Sequence, residues 1–295
     1  MENVTIVTVR TVVQRYTSIT RELKSANRDI AGGAMKAEIN RRQLVTLLTG
    51  VAGVGAAATL VAHADQLGGG KDPAEALQKV PWPYRPLDPD KAAQRGFEGY
   101  YKAECMYGVF DAIVGPVAEQ LGSPYKDFPF LMFKYGGGGI KGWGTICGAL
   151  NGAAAAVQLL SPEPDQLVNA LFTWYEHEQL PDIHPKGAKF ADVRSVAGSP
   201  LCHQSIAHWT KASGKLAYSP ERAERCGSLV ASVAKQTVLL LNQQAAGKPI
   251  IFALPKATQS CMSCHEKGGA LENMRTKMDC GGCHAPLMDK HPAKS

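Results

Sequence analysis

The stretch SPERAERCGSLVASVAKQTVLLLN, Ser219 to Asn242, decides the fold class. Ser219 can cap the free amides of a first helical turn, Pro220 suits that turn, and Glu221 favours the positive end of a helix. Beyond it, Cys226, Leu229, Val230, Val233, Thr237 and Leu240 recur at helical spacing on one face, which predicts a helix with Cys226 pointing inward. Working outward, Lys91 to Leu121 carries a long helical pattern that contains Cys105, with a break expected at Gly115-Pro116. Trp143 to Leu160 reads as a helix of small residues that must pack closely on a neighbour, Asp165 to Leu180 as another ended by Pro181, and Leu201 to Ala212 as a fourth. Strand-like alternation is scarce, so the sequence predicts an all-α fold: a helical, cysteine-rich domain over residues 91–254 and a small segment over 255–295. The Gly- and Pro-rich residues 65–90 read as an extended surface segment.

The C-terminal segment contains CMSCHEKGGALENMRTKMDCGGCH, Cys261 to His284. Cys261, Cys264, Cys280 and Cys283 form two Cys-x-x-Cys pairs with 15 residues between them, a spacing that a four-cysteine zinc ribbon also uses. Zinc has no need of His265 and His284, because four thiolates already complete a tetrahedral site. At an ordinary histidine frequency of roughly 2%, both would be present by chance in about one sequence in 2,500, which favours a motif that requires them. A c-type haem does: each cysteine forms a thioether to a vinyl group and the adjacent histidine is the proximal iron ligand. The segment is therefore expected to hold two haems c.

Covalent haem attachment takes place outside the bacterial cytoplasm, so an export signal is expected. Asn40 to Ala64 supplies one: the pair Arg41-Arg42, a weakly apolar run rich in Ala, Gly and Thr, and the small-x-small end Ala62-His63-Ala64. The expectation is twin-arginine export to the periplasm, without stable membrane insertion once residues 1–64 are removed. Leu44 to Ala62 is almost long enough for an anchor, but its Gly and Thr content makes it a poor span. Met35 reads as a start that would set residues 1–34 aside. Removing residues 1–64 takes eight of the 32 basic and four of the 26 acidic residues, leaving a net charge of +2 instead of +6. No basic patch remains that would argue for a nucleic-acid partner.

Four more cysteines, Cys105, Cys147, Cys202 and Cys226, lie one on each of four expected helical segments. Four thiolates can hold an iron–sulfur cluster; two disulfides, in any of three pairings, or buried free thiols are the alternatives. Gly136 to Gly139, Gly142 and Gly144 would let backbone approach a cofactor closely, and Cys147 near a helix start gains from the helix dipole.

Cys105, Gly144 with Cys147-Gly148-Ala149 and Gly152, then Cys202 and Cys226, resemble the bacterial redox-associated family named for its C-GCAxxG-C-C pattern, over about Tyr100 to Asn242. With the two Cys-x-x-Cys-His motifs added, the whole mature chain resembles the split-Soret cytochromes c. That resemblance implies a homodimer with two c-haems per subunit clustered at one end. It also implies an iron–sulfur site of the 2Fe-2S type, whose ligands by position would be Cys105, Cys147, Cys202 and Cys226.

A fully helical connection from Cys264 to Cys280 would span ~24 Å, and a folded-back one less, so the haems are expected to be near neighbours. A tail of this size cannot cover two macrocycles alone, so they must dock on the helical domain or on another subunit, which could then donate a distal ligand. His184, on a rigid loop beside Pro185, His203 and His291 are the distal candidates; Met262, Met274, Met278 and Met288 are thioether alternatives more at home in packing. Glu176, His177 and Glu178 are spread over different faces of one helix, and no acid–base or nucleophile constellation stands out. The expected function is electron transfer between redox partners. The alternatives are a haem or iron–sulfur oxidoreductase acting on a small substrate at an open iron position, and a zinc-ribbon binding protein.

Overall fold

The computed structural model describes residues 79–191, 193–288 and 291; the expected export segment and most of the extended segment lie outside them. The described chain is helical. In order it forms α1 (Pro89–Leu121), two short 3-10 turns (Tyr125–Asp127 and Phe130–Gly136), α2 (Gly148–Leu160) and α3 (Pro164–His177). There follow the two-residue strands β1 (Gln179–Leu180) and β2 (Ser195–Val196), then α4 (Cys202–Ser213), α5 (Pro220–Ala245), α6 (Lys256–His265) and α7 (Gly281–Met288). The strands pair antiparallel, Gln179 opposite Val196 and Leu180 opposite Ser195.

Helix α5 starts as its sequence dictates, with Ser219 Oγ accepting from the Arg222 amide at 3.2 Å and Pro220 in the first turn. All six residues of its expected apolar face are buried. The first half of the opposite, polar face is buried too, at Glu224, Ser228 and Ser232, because a loop covers it with hydrogen bonds. The Lys189 and Phe190 amides donate to the Glu224 carboxylate at 2.8 and 2.6 Å, and the Asp182 amide donates to Ser232 Oγ at 3.2 Å. An apparently amphipathic helix is thus the central post of the domain.

The break expected at Gly115-Pro116 is not there. The chain instead reverses at Ala103 (φ −157°, ψ 38°) and Glu104 (φ 73°, ψ −177°), which makes α1 two antiparallel arms, 89–102 and 105–121. In one straight helix Arg95 and Asp111 would stand ~24 Å apart, yet Arg95 Nε donates to Asp111 Oδ2 at 2.9 Å and Nη1 donates to Glu119 Oε1 at 2.6 Å. The arms touch backbone to backbone at Gly99 and Gly108, where a Cβ on Gly99 would come within 2.9 Å of Gly108 Cα. Full burial of Ile113, Val114 and Val117 carries the helix through Pro116. The expected helix start at Trp143 also moves, to Gly148. Residues 145–147 run extended beside 200–202: the Cys147 amide donates to Pro200 O at 2.8 Å and the Cys202 amide to Thr145 O at 2.7 Å. The helix expected up to Leu180 ends at His177, and its last residues form β1.

Candidate metal and haem sites

The fold gathers the four domain cysteines from four different places. Cys105 follows the reversal in α1, Cys147 is the N-cap of α2, Cys202 opens α4 and Cys226 lies in the second turn of α5. The paired extended segments at 145–147 and 200–202, with Ile146 opposite Leu201, put Cys147 and Cys202 diagonally across the pair on one face. Gly148 lets Cys105 approach, since a Cβ there would lie 2.9 Å from Cys105 Cβ. Gly139, at φ +65°, packs on Cys202 Cβ, and a side chain there would also meet the backbone of Thr145. Glu104, which carries the strained positive φ, directly precedes Cys105; such strain persists only where the surrounding packing over-determines it.

All four thiols are buried and free. Burial, and then the neighbouring cysteines, push Cys105 well above its ordinary value and Cys202 up to about 12. Cys147 is raised by burial but helped by the Ala149 and Leu150 amides at the start of α2. Cys105, Cys147 and Cys202 therefore stay protonated on their own, and a bound cation is what would let them ionise together. Positive charge stands close by, because the Arg222 guanidinium lies against Cys226 and Arg225, the residue before Cys226, is buried. Among the described residues no three His, Cys, Asp or Glu side chains are arranged to hold one ion. Four buried thiols that interact with one another are a donor set that fits an iron–sulfur cluster, whose ligands are cysteine thiolates.

The tail is built differently. The connection between its motifs is not helical but folds back on the end of α6, with the Leu271 amide donating to Cys264 O and the Met274 amide to His265 O, both at 2.9 Å. Both motifs therefore face one apolar pocket, lined by Cys261, Met262, His265, Met274, Cys280, His284 and His291. Cys261 and Cys280 are close enough that the first raises the pKa of the second, although burial raises it more. Cys264 instead lies beside Ser263, and Cys283 is exposed. A zinc ribbon needs all four sulfurs around one point; thioethers on the rims of two macrocycles do not.

Four residues that the motifs do not announce, Asn273, Asp279, Glu176 and His177, position this tail. His265 Nδ1 is 2.8 Å from Asn273 Oδ1, so the ring proton is placed on Nδ1 and Nε2 keeps its lone pair for a metal. Asp279, just before the second motif, accepts from the Gly281 amide at 2.7 Å. Its own amide faces Glu176 Oε1 at 3.4 Å, and its carboxylate is 3.8 Å from His177 Nε2. The sequence signal for two of them was the polar run Glu176-His177-Glu178 at the end of α3.

Of the distal candidates, His291 lies at the shared pocket with its ring 5.9 Å from that of His265, edge to face. His184 is exposed and lines a separate cleft with Gln94 and Lys186, and His203 is exposed with Nδ1 3.0 Å from Gly144 O. Neither lines the shared pocket of its own chain. Met262 and Met274 line it; Met278 lines a second cleft with Phe172, Phe252 and Leu254, between α3 and the tail. The backbone of Met288 closes α7.

A buried nest of four cysteines in a helical domain, joined to a tail with two Cys-x-x-Cys-His motifs on one pocket, defines a class of cysteine-rich cytochromes c. In agreement, residues 107–239 match the family described as "Putative redox-active protein (C_GCAxxG_C_C)". The chain is 38% identical over 264 residues to the split-Soret cytochrome c of Desulfovibrio desulfuricans strain ATCC 27774, covering 84% of this chain and 95% of that one. A solved structure described as a novel iron centre in the split-Soret cytochrome c of the same strain superposes with a TM-score of 0.67 at 37% identity. It spans 72% of this chain and 93% of that chain. The chain belongs to the split-Soret cytochrome c family.

Proposed function

We propose that this chain is a periplasmic electron-transfer protein that carries two closely packed haems c and an iron–sulfur cluster. When bound, these groups supply one-electron redox chemistry. The observation that carries the reading is that both Cys-x-x-Cys-His motifs, 15 residues apart, face the same apolar pocket. Cys261 and Cys264 attach one haem and Cys280 and Cys283 the other, with His265 and His284 as proximal ligands and the Asn273 carbonyl fixing the tautomer of the first. Cys105, Cys147, Cys202 and Cys226 hold the cluster.

The tail is small and its pocket open to one side, so we read a second copy of the chain as the cover that completes the burial of the haems. The exposure of His184 and His203, away from their own chain's pocket, suits donation to a partner subunit. Twin-arginine export fits a cluster assembled on folded protein before translocation. Electron transfer is favoured over catalysis because the polar residues around the tail, Glu176, His177 and Asp279, are engaged with one another rather than directed into the pocket.

The test is expression with c-haem maturation, followed by the mass of the denatured chain and counts of iron and zinc. Two haems retained after denaturation, with residues 1–64 absent, support the reading. A colourless chain with bound zinc, despite competent maturation, overturns it.

A further inference from the structure

One buried hydroxyl is unaccounted for by packing. Tyr175, in the last turns of α3, is fully buried, and its hydroxyl makes no hydrogen bond of normal geometry. A phenol of this kind is buried at a cost unless something accepts from it, so a Phe would be the expected residue. The hydroxyl lies against the Cys147 thiol on one side and Ser205 on the other. Ser205 is itself 1% exposed, and its Oγ accepts from Arg225 Nη2 at 3.0 Å. Arg225 is buried with Nε unpartnered, beside a small cavity lined by Trp209, Glu224 and Ser228. A line of polar groups therefore runs through the core from a fixed cation to a cysteine: Arg225, Ser205, Tyr175, Cys147.

With a neutral thiol at its end, this line is poorly used, because a thiol is a weak acceptor. With a thiolate there it is complete. The guanidinium donates to Ser205, the serine hydroxyl donates to Tyr175 Oη, and the phenol donates to the sulfur, each bond polarised by the one before. We propose that Tyr175, oriented by Ser205 and Arg225, is a positioning residue that donates a hydrogen bond to the Cys147 thiolate of the bound cluster and raises its reduction potential. A donor at a ligating sulfur stabilises the more negative, reduced form more than the oxidised one, which sets the direction. The inference rests on the iron–sulfur reading above.

The experiment compares the complete haem-loaded protein with Tyr175→Phe and Ser205→Ala, purified without oxygen. Iron and acid-labile sulfide are counted, and the cluster potential is followed by paramagnetic resonance during a redox titration. Tyr175→Phe removes one oxygen and no apolar volume. It is expected to lower the cluster potential by about 59 mV, a tenfold change in the ratio of oxidised to reduced cluster. Ser205→Ala keeps the phenol but frees its orientation, and should shift the potential the same way by less. In the parent, iron–sulfur stretching bands should move in deuterium oxide, and that sensitivity should be lost in Tyr175→Phe. An unchanged potential and unchanged isotope response with cluster content intact overturn this inference alone. Absence of labile sulfide in the parent overturns the cluster reading and this inference with it.

Discussion

Gly152 holds the two helices that carry Cys105 and Cys147 at their spacing, and replacing it with alanine tests that geometry. A Cβ there would stand 3.1 Å from the Met106 carbonyl carbon and 3.2 Å from its Cα, with the carbonyl oxygen closer still. The obstacle is backbone, so no rotamer change relieves it, and α2 must move away from the 105–121 arm by about 1 Å. Overpacking of this kind costs roughly 1–3 kcal/mol, and the absence of a yielding side chain puts Gly152→Ala near the top of that range. Alanine returns about 1 kcal/mol of helix propensity. The net loss is about 2 kcal/mol, which for a chain of this size lowers the melting temperature by roughly 4–8 °C. The same movement separates Cys147, five residues before Gly152, from Cys105, beside Met106. Metal–ligand distances hold within about 0.2 Å, so non-haem iron content should fall with the melting temperature. Gly122→Ala is the matched control: φ is +75° with nothing within 4 Å of the added carbon, so strain alone costs about 1–3 kcal/mol while the cluster stays. Calorimetry with iron analysis on both variants checks this. A Gly152→Ala protein that melts at or above the parent with full non-haem iron would refute the reasoning.

Three further outcomes are expected. Cys226→Ser should lose non-haem iron while the haem absorbance is retained, as read by iron analysis and visible spectroscopy. Asn273→Ala removes the acceptor at His265 Nδ1 and with it electron density on the ligating nitrogen, so the potential of the haem at Cys261 and Cys264 should rise by a few tens of millivolts, roughly the worth of one hydrogen bond. Burial first, and then the Asp279 carboxylate, raise the Glu176 pKa above 4.5, so its favourable contribution is complete below that pH and lost as pH rises through the folded value. Glu176→Gln should therefore match the parent in denaturant unfolding below pH 4.5 and exceed it at pH 7.

What the sequence revealed was set by how local the signal is. Ser219-Pro220-Glu221 and the apolar face of α5 are local, and they located that helix to within a few residues. The haem motifs are local as well. The reversal of α1 was not legible, because it depends on Gly99 meeting Gly108 and on Arg95 reaching across to Asp111 and Glu119. Full burial of Ile113, Val114 and Val117 outweighs the Gly115-Pro116 signal, which in an isolated peptide would have broken the helix. The start of α2 was misplaced for a similar reason: residues 145–147 are extended only because 200–202 runs alongside. Tyr175, Ser205 and Arg225 come from three helices, and nothing in their spacing marks them as a set. Asn273 is visible only once the loop after His265 has folded back.

The account stands most directly on the Soret region of the fully matured protein, recorded without oxygen during stepwise reduction. Two haems attached through Cys261, Cys264, Cys280 and Cys283 around one pocket should couple, giving a split band together with more iron per chain than the haems contain. A single, unsplit band at every stage of reduction, with haem as the sole iron, would contradict it.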